Sequence, residues 1–220
     1  MIKNLVFDMG GVVLPLTPER AWERFESLGV KNTRQQMGLY GQTGIFLQVE
    51  NGTITAEQFL DELTRQAREQ SGGESAHIAP ITFQQAQWAW IGYVDNVDIN
   101  RLNNLLKLKE QYRVIMLSNT NPFIFDWTEQ PTFSGDGHPL SYYFHQSFYS
   151  YVMKDYKPSV TIFQKLLSGA GIVAGETVFL DDGEKNVRAA RQLGIHGLHV
   201  TENQDWMPLL QHFLNDNNQS

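Results

Sequence analysis

The chain has 220 residues, a formal net charge of -7, 41% hydrophobic residues and 19% charged residues. This composition predicts a soluble globular protein with one sizeable domain, or a core with a smaller inserted piece. The negative charge argues against nucleic acid or an anionic membrane as the main partner. The absence of cysteine excludes disulfides, thiolate metal sites and cysteine nucleophiles.

The sequence shows neither a signal peptide nor a membrane span. The apolar run near the N-terminus, Leu5–Phe7, is far too short for either, and no later run without charges is long enough. We therefore expect a cytoplasmic protein. The sequence leaves its oligomeric state open.

The first chemically informative stretch lies near the N-terminus, where a short apolar run ends at a carboxylate. Residues Leu5–Phe7 have the composition of a buried strand, and Asp8 follows directly, with Gly10 and Gly11 close behind. In open parallel sheets, ligands bind beyond the carboxyl ends of the strands, so Asp8 would face a ligand. Taken alone, the stretch is equally consistent with a turn, because Asp and Gly end many strands.

The segment from about residue 15 to residue 92 has the pattern of helices. Thr17–Pro18, Thr55–Gln58 and Thr82–Gln85 each provide a helix-start signal followed by apolar residues at helical spacing. A polar, glycine-containing stretch over residues 69–75 predicts a loop. We expect four aromatic side chains to form the core of this segment: Trp22, Phe25, Trp88 and Trp90.

From Asn96 onward, helical and strand patterns alternate, which is typical of α/β folds. Four strands are predicted here, at residues 113–117, 148–152, 177–180 and 196–200. The sequence therefore predicts a doubly wound, Rossmann-like parallel α/β core formed by residues 1–14 and 93–220. An all-helical segment, residues 15–92, is inserted into it.

Polar groups follow several of these predicted strands, and a parallel sheet would bring them to one edge. They are Asp8, Ser118 with Asn119, Lys157, and Asp181 with Asp182. Each has an ordinary explanation: Ser118 as a strand-end hydroxyl, Lys157 as a solvated lysine, and the acidic pair as a helix cap. Two adjacent acids after a buried strand are nevertheless costly without a nearby cation, so the combined pattern favours a site.

The order of these groups resembles the haloacid dehalogenase superfamily, most closely its phosphatase-like members. Four motifs carry the resemblance: Phe7–Val12, Leu117–Pro122, Lys157–Pro158 with Ile162–Phe163 downstream, and Asp181–Asp182 followed by Asn186. Each motif is weak alone, but four in this order with their strand contexts indicate the fold. The resemblance implies that the helical insert is a cap domain that closes over the active site.

The resemblance also implies phosphoryl transfer to Asp8, assisted by Mg²⁺. A carboxylate nucleophile and a phosphate dianion repel each other unless a cation lies between them, and Mg²⁺ prefers hard oxygen ligands. By resemblance, the ligands of the metal are Asp8, the carbonyl of Gly10 and Asp182, and Asp181 supports the metal through water.

The remaining motif residues are expected to bind the transferring phosphoryl group. By resemblance, Ser118 and the amide of Asn119 donate hydrogen bonds to it, and Lys157 neutralises its charge and that of Asp8. Lys154 is the weaker candidate for the lysine role, because it lacks the proline and the Ile-Phe context that follow Lys157.

Gly10 departs from the pattern of the phosphatases. Most of them carry a second aspartate two residues after the nucleophile, which protonates the leaving group and activates water; its loss removes a factor on the order of 10² to 10⁴ unless another group replaces it. Glu19, Glu50 and Glu57 of the insert are available as replacements, and the sequence does not choose among them.

The sequence thus predicts a Mg²⁺-dependent phosphohydrolase that acts on a small phosphorylated metabolite, with a sugar phosphate as the resemblance-based expectation. Substrate contacts are expected near Glu50–Gly52, near Ile54 and in the turn after Leu14. The first alternative is a phosphometabolite-binding or regulatory protein that lost turnover with the change at Gly10. The second is a haloacid dehalogenase, which the acidic pair Asp181–Asp182 disfavours.

Overall fold

The computed structural model describes residues 1–38, 41–70 and 79–218. Its strands are β1 (Asn4–Phe7), β2 (Met37–Gly38), β3 (Gly41–Gln42), β4 (Arg113–Ser118), β5 (Gln146–Tyr149), β6 (Thr177–Asp181) and β7 (His196–His199). Five of them form one parallel sheet in the order β5-β4-β1-β6-β7, and β2 pairs with β3 as a short antiparallel ladder.

Helices surround this sheet. They are α1 (Pro18–Ser27), α2 (Thr33–Gln36), α3 (Gly44–Glu50), α4 (Ala56–Gln70), α5 (Phe83–Ile91), α6 (Ile99–Lys109), α7 (Pro122–Thr128), α8 (Ser150–Met153), α9 (Val160–Ala170), α10 (Glu184–Gln192) and α11 (Met207–Asn218). Within the described ranges, none of them has both the length and the apolar character needed to cross a membrane.

The sheet separates two apolar clusters. Leu5 and Phe7 of β1 join α6 and α11 on one face, whereas Val6 joins α9 and α10 on the other. All three side chains are fully buried, as expected when both faces of a parallel sheet are covered by helices. The predicted doubly wound α/β fold is confirmed.

The strand order explains why the end of β1 is suited to a ligand. The chain runs from β1 outward to β4 and β5, and then returns to place β6 on the other side of β1. The strand order therefore reverses at β1, and crevices form at such switch points beyond the carboxyl ends of the strands. Asp8 lies immediately beyond this end of β1.

The inserted segment leaves the core and returns to it at one place. Leu16 and Val94 form an isolated antiparallel bridge, and the amide of Thr17 donates to the carbonyl of Tyr93 at 2.8 Å. Between these points lie α1 to α5 and the ladder of β2 and β3, so the segment is helical apart from this ladder. Its separation from the core as a domain, with boundaries at residues 15 and 92, stays a prediction.

Aromatic rings connect the insert to the core. Phe46 on α3 packs edge-on against Phe25 and Trp90, with ring centroids 5.1 Å and 5.6 Å away. Phe59 on α4 continues this cluster to Phe123 on α7, a helix outside the insert, at 5.4 Å. The insert and one face of the sheet thus share one continuous apolar cluster.

Several local elements differ from the predictions. Helices α3 and α7 were not predicted, because seven-residue segments give little periodicity. Strand β5 ends at Tyr149 and the chain turns into α8, whereas the strand was predicted at 148–152. Trp88 is 46% exposed and does not belong to the core of the insert. Most of the predicted loop at 69–75 lies outside the described residues, and α4 includes its first two positions.

The shared apolar cluster predicts a large effect of Phe123→Ala on stability. Removing this fully buried ring leaves a cavity between α7 and the insert, and we expect a loss of about 3–5 kcal/mol in the free energy of unfolding. Urea titration followed by circular dichroism measures it. The control Trp88→Ala removes a half-exposed ring and should cost less than about 1 kcal/mol. Equal losses, or two separate unfolding transitions, would contradict a shared core.

Candidate active site

The residues predicted from the strand ends do meet at one edge of the sheet. Asp8 follows β1, and the parallel register that pairs Phe7 with Leu180 places Asp8 beside Asp181 at the end of β6. The amide of Asp8 donates to the carbonyl of Leu180 at 2.9 Å, which continues the pairing one step beyond the strand. Lys157 enters from the loop before α9.

Lys157 is the cation at the centre of this group. Its Nζ lies 2.8 Å from Asp8 Oδ1 and 2.6 Å from Asp181 Oδ2, and its side chain is fully buried. Burial alone would lower the pKa of Lys157, but the charges of Asp181 and Asp8 outweigh burial and raise it. Lys157 therefore stays protonated. Lys154, the weaker candidate, is exposed at the end of α8.

Three buried carboxylates face this single lysine. Asp8, Asp181 and Asp182 each place an oxygen within 4.8 Å of the others. Burial is the largest cause and the charge of Asp181 the second cause that raise the pKa of Asp182 to about 7. Burial also raises the pKa of Asp8 well above its usual value, although the charge of Lys157 lowers it. With all three acids ionised, the cluster would carry more negative charge than Lys157 balances, so its hard oxygen donors and its charge both fit a divalent cation.

The two acids after β6 have different surroundings. Asp181 Oδ1 accepts from the amide of Gly183 at 2.7 Å and from Asn186 Nδ2 at 2.8 Å, while its other oxygen binds Lys157. Asp182 has no side-chain donor within hydrogen-bond distance in the described part of the chain, which leaves its oxygens free for a cation. Asp181 thus fits a supporting position and Asp182 a direct ligand.

Gly10 and Gly11 have separate reasons to be glycine. A Cβ on Gly11 would lie 2.1 Å from Asp182 Oδ2, and its φ of +73° is in the left-handed region. A Cβ on Gly10 would meet only the end of the Leu16 side chain, at 3.0 Å. Among the described residues, no backbone amide donates to the Gly10 carbonyl, and Gly10 lines the cavity, so this oxygen is available to a cation.

Asn119 holds Lys157 in place. Its Nδ2 donates to the Lys157 carbonyl at 3.0 Å, and its Oδ1 accepts from the Lys157 amide at 2.9 Å. Ser118 is the last residue of β4; it is fully buried, and its hydroxyl donates to the Asn119 carbonyl at 3.3 Å. The structure thus gives Asn119 a positioning contact that the sequence did not reveal, and it places Ser118 at the predicted strand end.

A cavity of about 520 Å³ opens above Asp8 and Asp182. The sheet edge supplies Asn119, Thr120 and Asn121 to its wall. The insert supplies Glu50 and Trp90 on the other side. This size is typical of pockets for small ligands. Within the described residues, the insert therefore forms part of the wall of the cavity that holds Asp8 and Asp182.

The structure distinguishes between the three glutamates that the sequence left open. Glu19 and Glu57 are exposed and do not line the cavity, whereas Glu50 is 5% exposed and lines it. Tyr156, which lines the cavity beside Glu50, was missed. Its only signal in the sequence is its position next to Lys157.

A model of one protein family matches residues 2–194: haloacid dehalogenase-like hydrolase. The chain belongs to this family. The match covers all four motifs, and the predicted membership is confirmed. The protein is therefore a hydrolase, which confirms the prediction of an enzyme.

Relatives of this haloacid dehalogenase-like hydrolase are similar over nearly the whole chain. A D-ribitol-5-phosphate phosphatase of Bacteroides thetaiotaomicron is 34% identical over 98% of this chain and 100% of the relative. A predicted hydrolase of the family from Porphyromonas gingivalis has a TM-score of 0.87 and 32% identity, and the match covers 97% of this chain and 98% of that structure's chain. A family enzyme from B. thetaiotaomicron, solved with magnesium and inorganic phosphate, has a TM-score of 0.80 and 35% identity. This match covers 95% of this chain and 99% of that structure's chain.

The contact between Gly11 and Asp182 predicts that Gly11→Ala damages the cation site. Its methyl group must displace Asp182, so we expect lower stability in urea titration and loss of Mg²⁺ binding in isothermal titration calorimetry. Gly135→Ala is the matched control, because Gly135 has a similar φ of +78° and nothing within 4 Å. The control should cost about 1–2 kcal/mol, from backbone conformation alone. Mg²⁺ binding by Gly11→Ala at the affinity of the control would contradict the interpretation.

Proposed function

We propose that this hydrolase is a Mg²⁺-dependent phosphatase of a small, hydroxyl-bearing phosphate monoester, such as a sugar or polyol phosphate. The observation that carries the proposal is the cluster of Asp8, Asp181 and Asp182 around Lys157 at the floor of a cavity for a small ligand. An excess of buried carboxylates beside one lysine supports a bound cation, because a divalent ion would keep all three acids ionised.

Asp8 is the nucleophile in this proposal. Its Oδ1 accepts from the Met9 amide at 2.7 Å and from Lys157 Nζ at 2.8 Å, so the carboxylate is held in one orientation. Its Oδ2 has no hydrogen-bond donor in the described part of the chain and is free to attack phosphorus. Attack forms an aspartyl-phosphate on Asp8 and breaks the bond to the leaving oxygen; water then releases phosphate.

The charge of the substrate is balanced by the groups around Asp8. Lys157 lies beside the attacking carboxylate and neutralises the developing charge, while Ser118 and the amide of Asn119 bind the phosphoryl oxygens. Asp8, the Gly10 carbonyl and Asp182, with support from Asp181, would hold Mg²⁺, which would supply the positive charge that lets two anions approach each other. All these roles use groups that lie at the same edge of the sheet.

The walls of the cavity support a substrate with hydroxyl groups. The lining includes the polar side chains of Gln42, Tyr156 and Asn186, none of which is fully buried, and such groups can hydrogen-bond to the hydroxyls of a small ligand. The D-ribitol-5-phosphate phosphatase among the relatives acts on a polyol phosphate, which supports the same class here.

The nucleophile prediction is tested by Asp8→Asn. We expect Mg²⁺-dependent release of phosphate from ribitol 5-phosphate by the unaltered protein, and a loss on the order of 10⁴ or more in kcat for the variant, because no other group replaces a nucleophile. Asp61→Asn, the same change at an exposed position on α4, should retain full activity. Binding of the phosphate without turnover, or halide release from a 2-haloacid without metal, would overturn the proposal.

The metal proposal predicts that Mg²⁺ stabilises the protein. At a free concentration of 100 times Kd, binding adds about 2.7 kcal/mol, which raises Tm by roughly 5–10 °C for a chain of this size. Asp182→Asn should abolish this shift, whereas Asp61→Asn should keep it. Differential scanning fluorimetry measures both, and an unchanged shift in Asp182→Asn would contradict the ligand assignment.

Without metal, Asp182→Asn should itself stabilise the protein. The pKa of Asp182 is raised to about 7 in the folded state, so its contribution to stability is present below pH 4 and is lost as the pH rises through 7. Asparagine cannot ionise, so the variant does not lose this stability at high pH. Tm of the metal-free variant should therefore exceed that of the unaltered protein at pH 8, and the difference should vanish near pH 4.

A further inference from the structure

A phosphatase of this kind needs a group that moves a proton, and position 10 does not supply one. The leaving alkoxide must gain a proton when its bond to phosphorus breaks, and the water that attacks the aspartyl-phosphate must lose one. Gly10 carries no side chain, so the group must come from elsewhere in the cavity wall. The inference below rests on the proposed phosphatase function.

Four carboxylates line the cavity in the described part of the chain: Asp8, Glu50, Asp182 and Glu184. Asp8 and Asp182 are already assigned to the nucleophile and the metal. The side chain of Glu184 is 68% exposed at the start of α10 and lies 3.9 Å from Arg188. Glu50 is the remaining buried carboxylate.

The other titratable groups of the lining are less suitable. Lys185, Arg188 and His199 are exposed at the rim of the cavity. The ring Nε2 of His199 lies 2.9 Å from the Asp182 carbonyl, so it is engaged with the backbone. Glu50 alone among these groups is both buried and on the side of the cavity that the insert forms.

The core of the protein fixes the position of Glu50. Ser150 Oγ donates to the Glu50 carbonyl at 2.5 Å and accepts from the amide of Thr120 at 2.9 Å, which ties the end of α3 to the residues after β4. A Cβ on Gly52 would lie 2.2 Å from the Tyr151 carbonyl, so the turn after α3 is also in close contact with α8. The backbone of Glu50 is therefore held at a defined place, from which its side chain reaches the cavity wall.

The hydrogen bonds of the Glu50 side chain leave it room to exchange a proton with substrate. The Tyr156 hydroxyl donates to Oε2 at 3.3 Å, and Asn121 Nδ2 donates to Oε1 at 3.5 Å. Both contacts are long, and each oxygen keeps a free lone pair. Among the described residues, no arginine or lysine forms an ion pair with the Glu50 carboxylate. No such ion pair therefore holds this side chain in its ionised form.

The surroundings of Glu50 favour titration near neutral pH. Burial raises the pKa of Glu50 to about 7, and the contacts with Asn121 and Tyr156 and the charge of Lys157 only partly oppose burial. Tyr156, Tyr93 and Lys157 are the other titratable groups that act on it. Burial raises the pKa of both tyrosines, so they stay neutral, and Lys157 stays charged.

We propose that Glu50 is the proton donor and acceptor that replaces the missing aspartate at position 10. The protonated carboxyl gives its proton to the leaving alkoxide as the bond from phosphorus to that oxygen breaks and the bond to Asp8 forms. The Glu50 carboxylate then takes a proton from water, whose oxygen bonds to phosphorus and releases Asp8. Glu50 is protonated again and no other reactant is needed.

Glu50→Gln tests the proposal with two substrates of different leaving group. Ribitol 5-phosphate has a poor leaving group that needs a proton, so we expect kcat/KM to fall by about 10²-fold or more. p-Nitrophenyl phosphate has a good leaving group, so its kcat/KM should fall by less than about 10-fold. The kcat for p-nitrophenyl phosphate should fall by a larger factor than its kcat/KM, because the attack of water on the aspartyl-phosphate still needs the base. A burst of one nitrophenolate per enzyme should then precede the slow steady state.

The pH profile supplies a readout that a purely structural role would not change. For ribitol 5-phosphate, kcat/KM of the unaltered protein should decline as the pH rises through about 7, where Glu50 loses its proton. This decline should be absent in Glu50→Gln. It should be present, at a lower rate, in Glu50→Asp, which keeps a titratable group one methylene shorter.

Glu57→Gln is the matched control, because it makes the same change at an exposed position of the insert, and it should leave both substrates unaffected. A higher KM for ribitol 5-phosphate, with kcat and the pH profile unchanged, would assign Glu50 to binding hydroxyls and overturn the proposal. Equal losses on both substrates without a burst would also overturn it. Failure of the phosphatase function would appear instead as absent Mg²⁺-dependent turnover in the unaltered protein.

Discussion

The buried contact of Lys157 with Asp8 and Asp181 is the interaction on which the site depends. It joins the ends of β1 and β6 through one ammonium group, and Asn119 fixes the backbone of that lysine to the end of β4. Three neighbouring strands are thereby held together at their carboxyl ends. Because one lysine cannot neutralise three ionised carboxylates, the same arrangement that orders the sheet edge also suits the cation of the proposed mechanism.

In the proposed mechanism, the insert contributes to both packing and chemistry. Its aromatic side chains continue the apolar cluster of the core through Phe59 and Phe123, so they contribute to the stability of the whole chain. Its α3 helix brings Glu50 to the cavity, where Ser150 of the core determines its position. The side chain facing the substrate is thus supplied by one part of the chain and oriented by the other.

The sequence was sufficient to predict the residues whose positions follow from strand ends. Asp8, Ser118 and Asp181 each lie where a buried apolar run stops, and a parallel sheet necessarily brings such positions to one edge. The place of Glu50 could not be predicted in this way, because it depends on contacts with Ser150 and Tyr156, about 100 residues away in the chain. The requirement for glycine at position 11 was hidden for the same reason: Asp182 is the obstacle.

Glycine at position 10 can be understood from the charge of the cluster. Gly10 lines the same cavity as Asp8 and Asp182, so an aspartate there would add another acid to this cavity, and each carboxylate added near such a group raises the pKa values of the others. The pKa of Glu50 is set by burial and by neutral or cationic neighbours, and none of the three clustered aspartates contributes to it. In the proposed mechanism, a proton-transfer group on the insert is therefore separated from the titration of the clustered aspartates. Glu50 would then exchange its proton near neutral pH while a bound cation keeps the aspartates ionised.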